Sequence, residues 1–384
     1  MSDNSKFFKK YTLNNKVEVP GILAVAPMTL FGSNPDGTIG DEERNFFKQR
    51  ANGIGLYILG ATCVSQEGLA FDNQPRAFDD KDLPSNKERV KIIKDQGALA
   101  INQIHHGGCL ALKRLSGVPV PAVSAEVVNK ELEKKGELND ENKAVELSDK
   151  DIRRIIDDFA KATEISIKAG YDGIEIHGAN NYLIQQFYSG YYNKRKDEWG
   201  GSLEKRMKFP LEVVDACCKI RDKYKKPEFI IGYRLSPEEP FDDGLTMTDT
   251  MALVRELLKR PLQFIHVSQK NFFQEARRGE GAGTPRLKII YDEIKGKMAL
   301  IGVGGLFSNE DLIKALNTGY ADFIGVGRAL MLNKDLGILL KEGKGDKIIL
   351  EIDPEHPEIY NIPKILWGMS ILEGSWLGFK IKKK

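Results

Sequence analysis

Only four of the 384 residues are cysteine, and none of Cys63, Cys109, Cys217 and Cys218 belongs to a Cys-x-x-Cys pair. An iron–sulfur cluster or a zinc site therefore lacks its ligands. Adjacent Cys217 and Cys218 fall in a helical pattern and read as small core or flank residues. The opening MSDNSKFFKK has no apolar h-region, and no segment reaches the ~18 apolar residues of a membrane span. Charge of one sign is also missing: the net is +2 at pH 7, with acids and bases interleaved. No electrostatic footprint argues for nucleic acid or a membrane surface, and Lys380–Lys384 reads as a solvated tail. A dinucleotide fingerprint is absent too, since GVGGLF at Gly302–Phe307 has Phe where GxGxxG needs its third glycine. These absences leave a cytoplasmic enzyme, monomeric or homo-oligomeric, working on a small molecule.

What is present is rhythm. Apolar runs at Leu23–Ala26, Gly55–Leu59, Ala98–Gln103, Gly173–Ile176, Phe229–Arg234, Gln263–Val267, Ala299–Val303 and Asp322–Val326 read as strands buried on both faces. Amphipathic helices lie between them. Ser148–Ala169 opens with a capping-box-like Ser-Asp-Lys-Asp and stops at Gly170; Ser308–Thr318 opens with Ser-Asn-Glu-Asp and stops at Gly319. Strands and helices alternating in this way predict an α/β fold, a (β/α)8 TIM barrel, with a doubly wound open sheet as the alternative. Residues 1–384 read as one domain. Leu110–Leu147 is too long for a βα loop and is expected to form a cap with local strand structure after strand three. Residues 350–384 are expected to form a helical appendage.

Chemistry in such barrels gathers at the C-terminal strand ends. There the sequence delivers Pro27-Met28-Thr29, Gly60-Ala61-Thr62, Gln103 with His105 and His106, and then His177, Asn180 and Tyr182. The later strands deliver Arg234, His266 with Ser268, Gly304-Gly305 and Gly325-Val326-Gly327-Arg328. Glycines after strands seven and eight let backbone N–H groups approach a phosphate, and Arg328 adds a charged fork. Tight turns without a ligand are the plain alternative. Gln103 and Arg234 suit a flat polar ring edge, with a structural ion pair as the alternative for Arg234.

The stretch HGANNYL at His177–Leu183, followed by N-x-R-x-D-x-[aromatic]-G-G-S at Asn193–Ser202, resembles the old yellow enzyme family of FMN-dependent ene-reductases and NADH:flavin oxidoreductases. GYDGIEIHGA, QIHHGG, YRLSP and GVGR support it in the matching order. The resemblance implies a (β/α)8 barrel, FMN as cofactor and NADH or NADPH as hydride donor. It places Ala26, Pro27, Met28 and Thr29 along the flavin, Ala61 beside the ring, Gln103 on the pyrimidine edge and Arg234 near N1 and O2. Gly304, Gly305, Gly325, Gly327 and Arg328 take the phosphate. His177 and Asn180 become the donors to a substrate carbonyl oxygen, Tyr182 the proton donor, and Phe31, with those three, a substrate contact. Arg195, Asp197 and Ser202 belong to a buttressing loop.

The chain departs from the family pattern at Asn181, where glycine is usual, at Cys109 for an arginine, at Gly60 for an acid, and at Tyr188 and Gly190. Asn tolerates positive φ, so the turn at Asn181 can survive. The iron–sulfur segment and second nucleotide domain of longer relatives have no counterpart. The expected function is reduction of an activated C=C bond in a small electrophile by ping-pong turnover. Its rivals are a flavin or oxygen reductase with incidental ene-reductase activity, a non-redox phosphate-binding aldolase or isomerase, and an inactive flavin-binding regulator.

Overall fold

The computed structural model describes residues 4–125, 143–371 and 377–382. Eight parallel strands close into a barrel: β1 Leu23–Val25, β2 Leu56–Cys63, β3 Leu99–His105, β4 Gly173–Gly178, β5 Ile230–Leu235, β6 Phe264–Val267, β7 Ala299–Val303 and β8 Phe323–Val326. Helices follow each in turn: α1 Asp41–Phe47, α2 Leu83–Lys94, α3 Asp149–Ala169, α4 Leu203–Lys223, α5 Met247–Leu257, α6 Arg286–Ile294, α7 Asn309–Thr318 and α8 Leu336–Lys341. All eight expected strands are in the barrel. Two run further than their apolar stretches, β2 to Cys63 and β3 to His105, and the β2–β3 register shifts between Leu59 and Thr62.

Side chains of a strand alternate between faces, and here the faces separate two cores. Ala24, Leu56, Ile58, Ile101, Ile230, Phe264, Ile301 and Phe323 fill the barrel interior. Ile104, Ile174, Ile176, Ile231, Tyr233, Ile265 and Val267 pack outward against the helices. The helices begin and end where their caps dictate. Ser148 accepts from the Asp151 N–H and closes a capping box on α3, and Gly170 ends it at φ +90. Ser308 and Asp311 do the same for α7, with Gly319 at φ +64. Each such cap is worth about 1 kcal/mol. An antiparallel pair, Tyr11–Thr12 with Glu18–Val19, plugs the N-terminal end of the barrel, where Tyr11 meets Phe323 edge-on at 4.9 Å. The opposite end is left open for chemistry.

Of the expected cap, residues 126–142 lie outside the described residues. Its two flanks pair as short parallel strands, Val120–Ala122 with Ala144–Glu146. Buried Arg195 fastens them by donating to the carbonyls of Val123 and Leu147, both at 2.9 Å, and to Asp197 at 2.6 Å. Ser202 caps α4. The buttressing loop thus holds the base of the insertion to the barrel. The expected helical appendage is more mixed than its sequence suggests. It contains the helix Lys364–Ile371, but also a parallel pair, Glu351–Ile352 with Lys380–Ile381.

Candidate active site

The interior alternation continues past the apolar layers and changes chemistry. Above Ile101 on β3 come Gln103 and His105; β4 carries Glu175 and His177; above Ile230 and Gly232 on β5 come Arg234 and Ser236; above Phe264 on β6 come His266 and Ser268. Glu175 is fully buried. One of its oxygens accepts from Gln103 Nε2 at 2.7 Å and the other pairs with His266 Nδ1 at 2.7 Å. The Arg234 guanidinium beside it is buried, and its Nε has no protein partner. Burial lowers the Arg234 pKa, and the Glu175 charge opposes that fall.

A cleft lined by Ala26, Met28, Thr29, Phe31, Gly60 and Ala61 opens between the ends of β1 and β2. A Cβ on Gly60 would lie 2.8 Å from Gln103 Oε1 and 2.9 Å from Pro27 Cβ, so a side chain there would invade the space between them. The acid usual in the family has no room at this position. Phe31 stands at φ +56, rare for a bulky residue, and its carbonyl accepts from Asn73 Nδ2 at 3.2 Å. Its ring meets Phe71 edge-on at 6.2 Å.

The end of β4 gathers the second group. His177 is 3% exposed, and burial first, then the neighbouring His105, holds its pKa well below the usual imidazole value. Its Nδ1 accepts from the Ala179 N–H at 3.3 Å, so the neutral ring carries its proton on Nε2 as a donor. Tyr182 packs edge-on against His105 at 4.3 Å and His177 at 5.2 Å, with Phe71 at 5.9 Å. Asn180 is exposed beside them. Asn180 and Asn181 both lie in the left-handed region, at φ +58 and +62. Asparagine thus takes the conformation that glycine supplies elsewhere. Cys109 is buried, its thiol pushed up to about 12 by burial, and its N–H donates to Gln186 Oε1 at 3.1 Å.

The third group lies at the ends of β7 and β8. Gly304 and Gly305 take φ +129 and +65, and a Cβ on Gly304 would lie 2.8 Å from the Asn271 backbone. Gly325 lies within β8, where a Cβ would sit 2.2 Å from Val303 Cγ1; barrel packing alone requires glycine there. At Gly327 a Cβ would meet Met28 Sδ at 3.5 Å, an ordinary contact, so this loop adjoins the β1 end of the cleft. Arg328 is half-buried, stacks over Phe307 at 4.7 Å and donates from one nitrogen to the Leu377 carbonyl at 2.7 Å.

These groups fit FMN. The glycine turns form a cradle beside Arg328, Ala26, Met28 and Ala61 line the cleft, and Gln103 with the unpartnered Arg234 Nε offers a polar edge. Phe71 and Glu175, and the part played by Ser236, escape a reading of the sequence. Glu175 alone left a signal there, a charge inside an otherwise apolar strand. Phe272, in the loop after β6, is fully buried close against Gly302.

The profile of the NADH:flavin oxidoreductase / NADH oxidase family matches residues 7–347. The chain is 36% identical over 375 residues to a probable NADH-dependent flavin oxidoreductase of Bacillus subtilis, covering 97% of this chain and 98% of that one. It is 34% identical over 378 residues to an NADH:fumarate oxidoreductase of Klebsiella pneumoniae, covering 97% of this chain but 40% of that longer protein. Its fold is similar to the old yellow enzyme of Pichia sp. AKU4542, with a TM-score of 0.75 and 26% identity over 88% of this chain and 87% of that one.

Proposed function

This chain belongs to the NADH:flavin oxidoreductase / NADH oxidase family, the old yellow enzymes, and on that premise we propose that it reduces an activated C=C bond in a small electrophile. It is an NAD(P)H-dependent FMN oxidoreductase; bound FMN supplies the hydride taken from NADH or NADPH. The observation that carries the reading is the convergence of a neutral His177 donor, Asn180 and Tyr182 at the end of β4. In this reading Ala26 to Thr29 and Ala61 wall the flavin, Gln103 and Arg234 face its polar edge, and Gly304, Gly305, Gly327 and Arg328 hold its phosphate.

His177 Nε2 and Asn180 Nδ2 bind one carbonyl oxygen of the acceptor. Both are neutral donors, so they stabilise negative charge developing on that oxygen without binding it as a full counter-ion. One lost donor of this kind costs about 10²–10³ in rate. Tyr182, whose phenol O–H is a donor, delivers the proton to the α-carbon. Phe31 and Phe71 shape the aromatic side of the pocket. The names of relatives that act on fumarate and acrylate support an unsaturated acceptor, in which the carbonyl belongs to a carboxylate.

The test is a turnover screen over enones, maleimides, nitroalkenes, quinones and unsaturated carboxylates, combined with the His177→Ala/Asn180→Ala double variant. The wild type is expected to give a charge-transfer band with phenols, and the double variant to lose it while keeping its flavin. A phenol that binds the double variant with wild-type affinity and colour would place the oxygen pocket elsewhere. NADH-driven reduction of oxygen or free flavin, with no turnover of any C=C acceptor, would make the protein a flavin or oxygen reductase.

A further inference from the structure

Asn180 has a fixed backbone and a side chain that needs fixing. Two consecutive left-handed asparagines persist only where the surroundings over-determine them. Here Ser236 Oγ accepts the Asn180 N–H at 2.9 Å and Gln185 Oε1 accepts the Asn181 N–H at 3.0 Å. Gln186 Nε2 donates to the Asn181 carbonyl at 2.6 Å. These contacts settle where the Asn180 side chain starts. They leave open which end of its carboxamide faces the mouth of the barrel.

Ser268 supplies a partner for the carboxamide oxygen. Its hydroxyl donates to Asn180 Oδ1 at 2.8 Å. Ser236 and Ser268 stand on either side of the same residue because they continue the inward alternation of β5 and β6, two positions beyond Arg234 and His266. The Ser268 N–H is itself tied to the Leu235 carbonyl at 2.8 Å, which fixes its backbone against the neighbouring strand end. We propose that Ser268 is a positioning residue: it holds Asn180 Oδ1, so that Nδ2 and its hydrogens face the substrate oxygen.

The physical case is a choice between two orientations. An exposed carboxamide without a partner takes either, and the wrong one sets Oδ1 against the substrate oxygen, acceptor against acceptor. A hydroxyl that donates to Oδ1 also polarises the amide and strengthens its N–H donors. This proposal rests on Asn180 being the oxygen-binding residue of the proposed function.

The test measures phenol affinity by the charge-transfer band, and the rate at which reduced enzyme is reoxidised by 2-cyclohexenone, in Ser268→Ala, Ser268→Thr, Asn180→Ala and Asn180→Ala/Ser268→Ala. Ser268→Ala is expected to weaken phenol binding and slow reoxidation by about three- to tenfold, the worth of one net hydrogen bond. FMN retention and the thermal midpoint should not change. Ser268→Thr, which keeps the hydroxyl, should recover most of the loss. In the Asn180→Ala background, removing Ser268 should add less than about twofold, because its effect passes through Asn180. A Thr variant as poor as Ala, or a Ser268 effect undiminished without Asn180, overturns the proposal, as does a Ser268→Ala enzyme equal to the wild type. A wild type that gives no phenol band overturns the reading of the pocket, and this role with it.

Discussion

Gln103 donates its amide hydrogen to the buried Glu175 at 2.7 Å, so the oxygen of that amide is turned toward Gly60 and the cleft. Glu175 thereby decides which face Gln103 offers a flavin edge, an acceptor rather than a donor. It also places a negative charge close to Arg234 in a buried region. Glu175→Ala leaves Gln103 and His266 without their partner and Arg234 without its counter-charge. Removing one member of such a buried set costs about 3–5 kcal/mol. Chemical denaturation of the FMN-free protein checks this, and a loss below about 1 kcal/mol would show that the network contributes little.

Arg328→Ala should weaken FMN binding by about 1.5–3 kcal/mol, the scale of a charge-assisted contact. Arg328 also holds the Leu377 carbonyl, so the thermal midpoint of the FMN-free protein should fall slightly as well. Arg328→Lys keeps the charge but not the fork, and should retain only part of the affinity. Flavin titration decides: unchanged affinity in the alanine variant removes Arg328 from the phosphate site.

Tyr182→Phe separates the two half-reactions. Hydride transfer from NADH needs no protein acid, so anaerobic bleaching of the flavin should proceed nearly as in the wild type. Reoxidation by a cyclic enone should slow by about 10²-fold or more, since its α-carbon needs a proton. Quinones should be spared, because their oxygens take protons from water. Stopped-flow traces of both halves test this; enone reoxidation at the wild-type rate assigns the proton to another source.

Acid should destabilise the fold before it reaches ordinary carboxylates. Burial holds His105 and His177 well below the usual imidazole value of 6.5. Their contribution is complete above pH 6.5 and declines as the pH falls beneath it, because the unfolded chain takes up those protons first. Asp158 acts in the opposite sense: burial pushes it up to about 6, so between pH 6 and 3.8 its protonation favours the folded state. His106 and His266 are depressed by burial as well. Four imidazoles, whose ordinary value lies inside the pH 7 to 5 range, thus oppose the raised carboxyls Asp82, Asp158, Glu239 and Asp322. Denaturation midpoints should therefore fall from pH 7 to pH 5, and His105→Phe should flatten that slope.

The barrel was legible because its strands are buried on both faces and its helices carry caps that act locally. Ser148, Gly170, Ser308 and Gly319 mark boundaries that the fold keeps. Strand ends were harder to read, since β2 and β3 extend through Thr62 and His105 after the apolar run has ended. Thr29, Gln103, His177 and Arg234 could be singled out because they stand at or just beyond the ends of apolar runs. Phe71 and Gln74 could not, because their loop has no period and reaches the mouth through single hydrogen bonds such as Gln74 Nε2 to the Ala61 carbonyl at 3.1 Å. The pairing of Ser268 with Asn180 joins positions 88 apart, and no local pattern announces it.

The barrel closes by pairing β1 with β8, Leu23 against Ile324 and Val25 against Val326. The wall at Ala26–Thr29 and the loop at Gly325–Arg328 are therefore neighbours in space only after some three hundred intervening residues have been made. During synthesis on the ribosome the first strand must wait, its partner edge unpaired, until the last has left the exit tunnel. Half a cradle cannot grip a phosphate. On the proposed site, FMN is then captured by the finished chain rather than by the growing one.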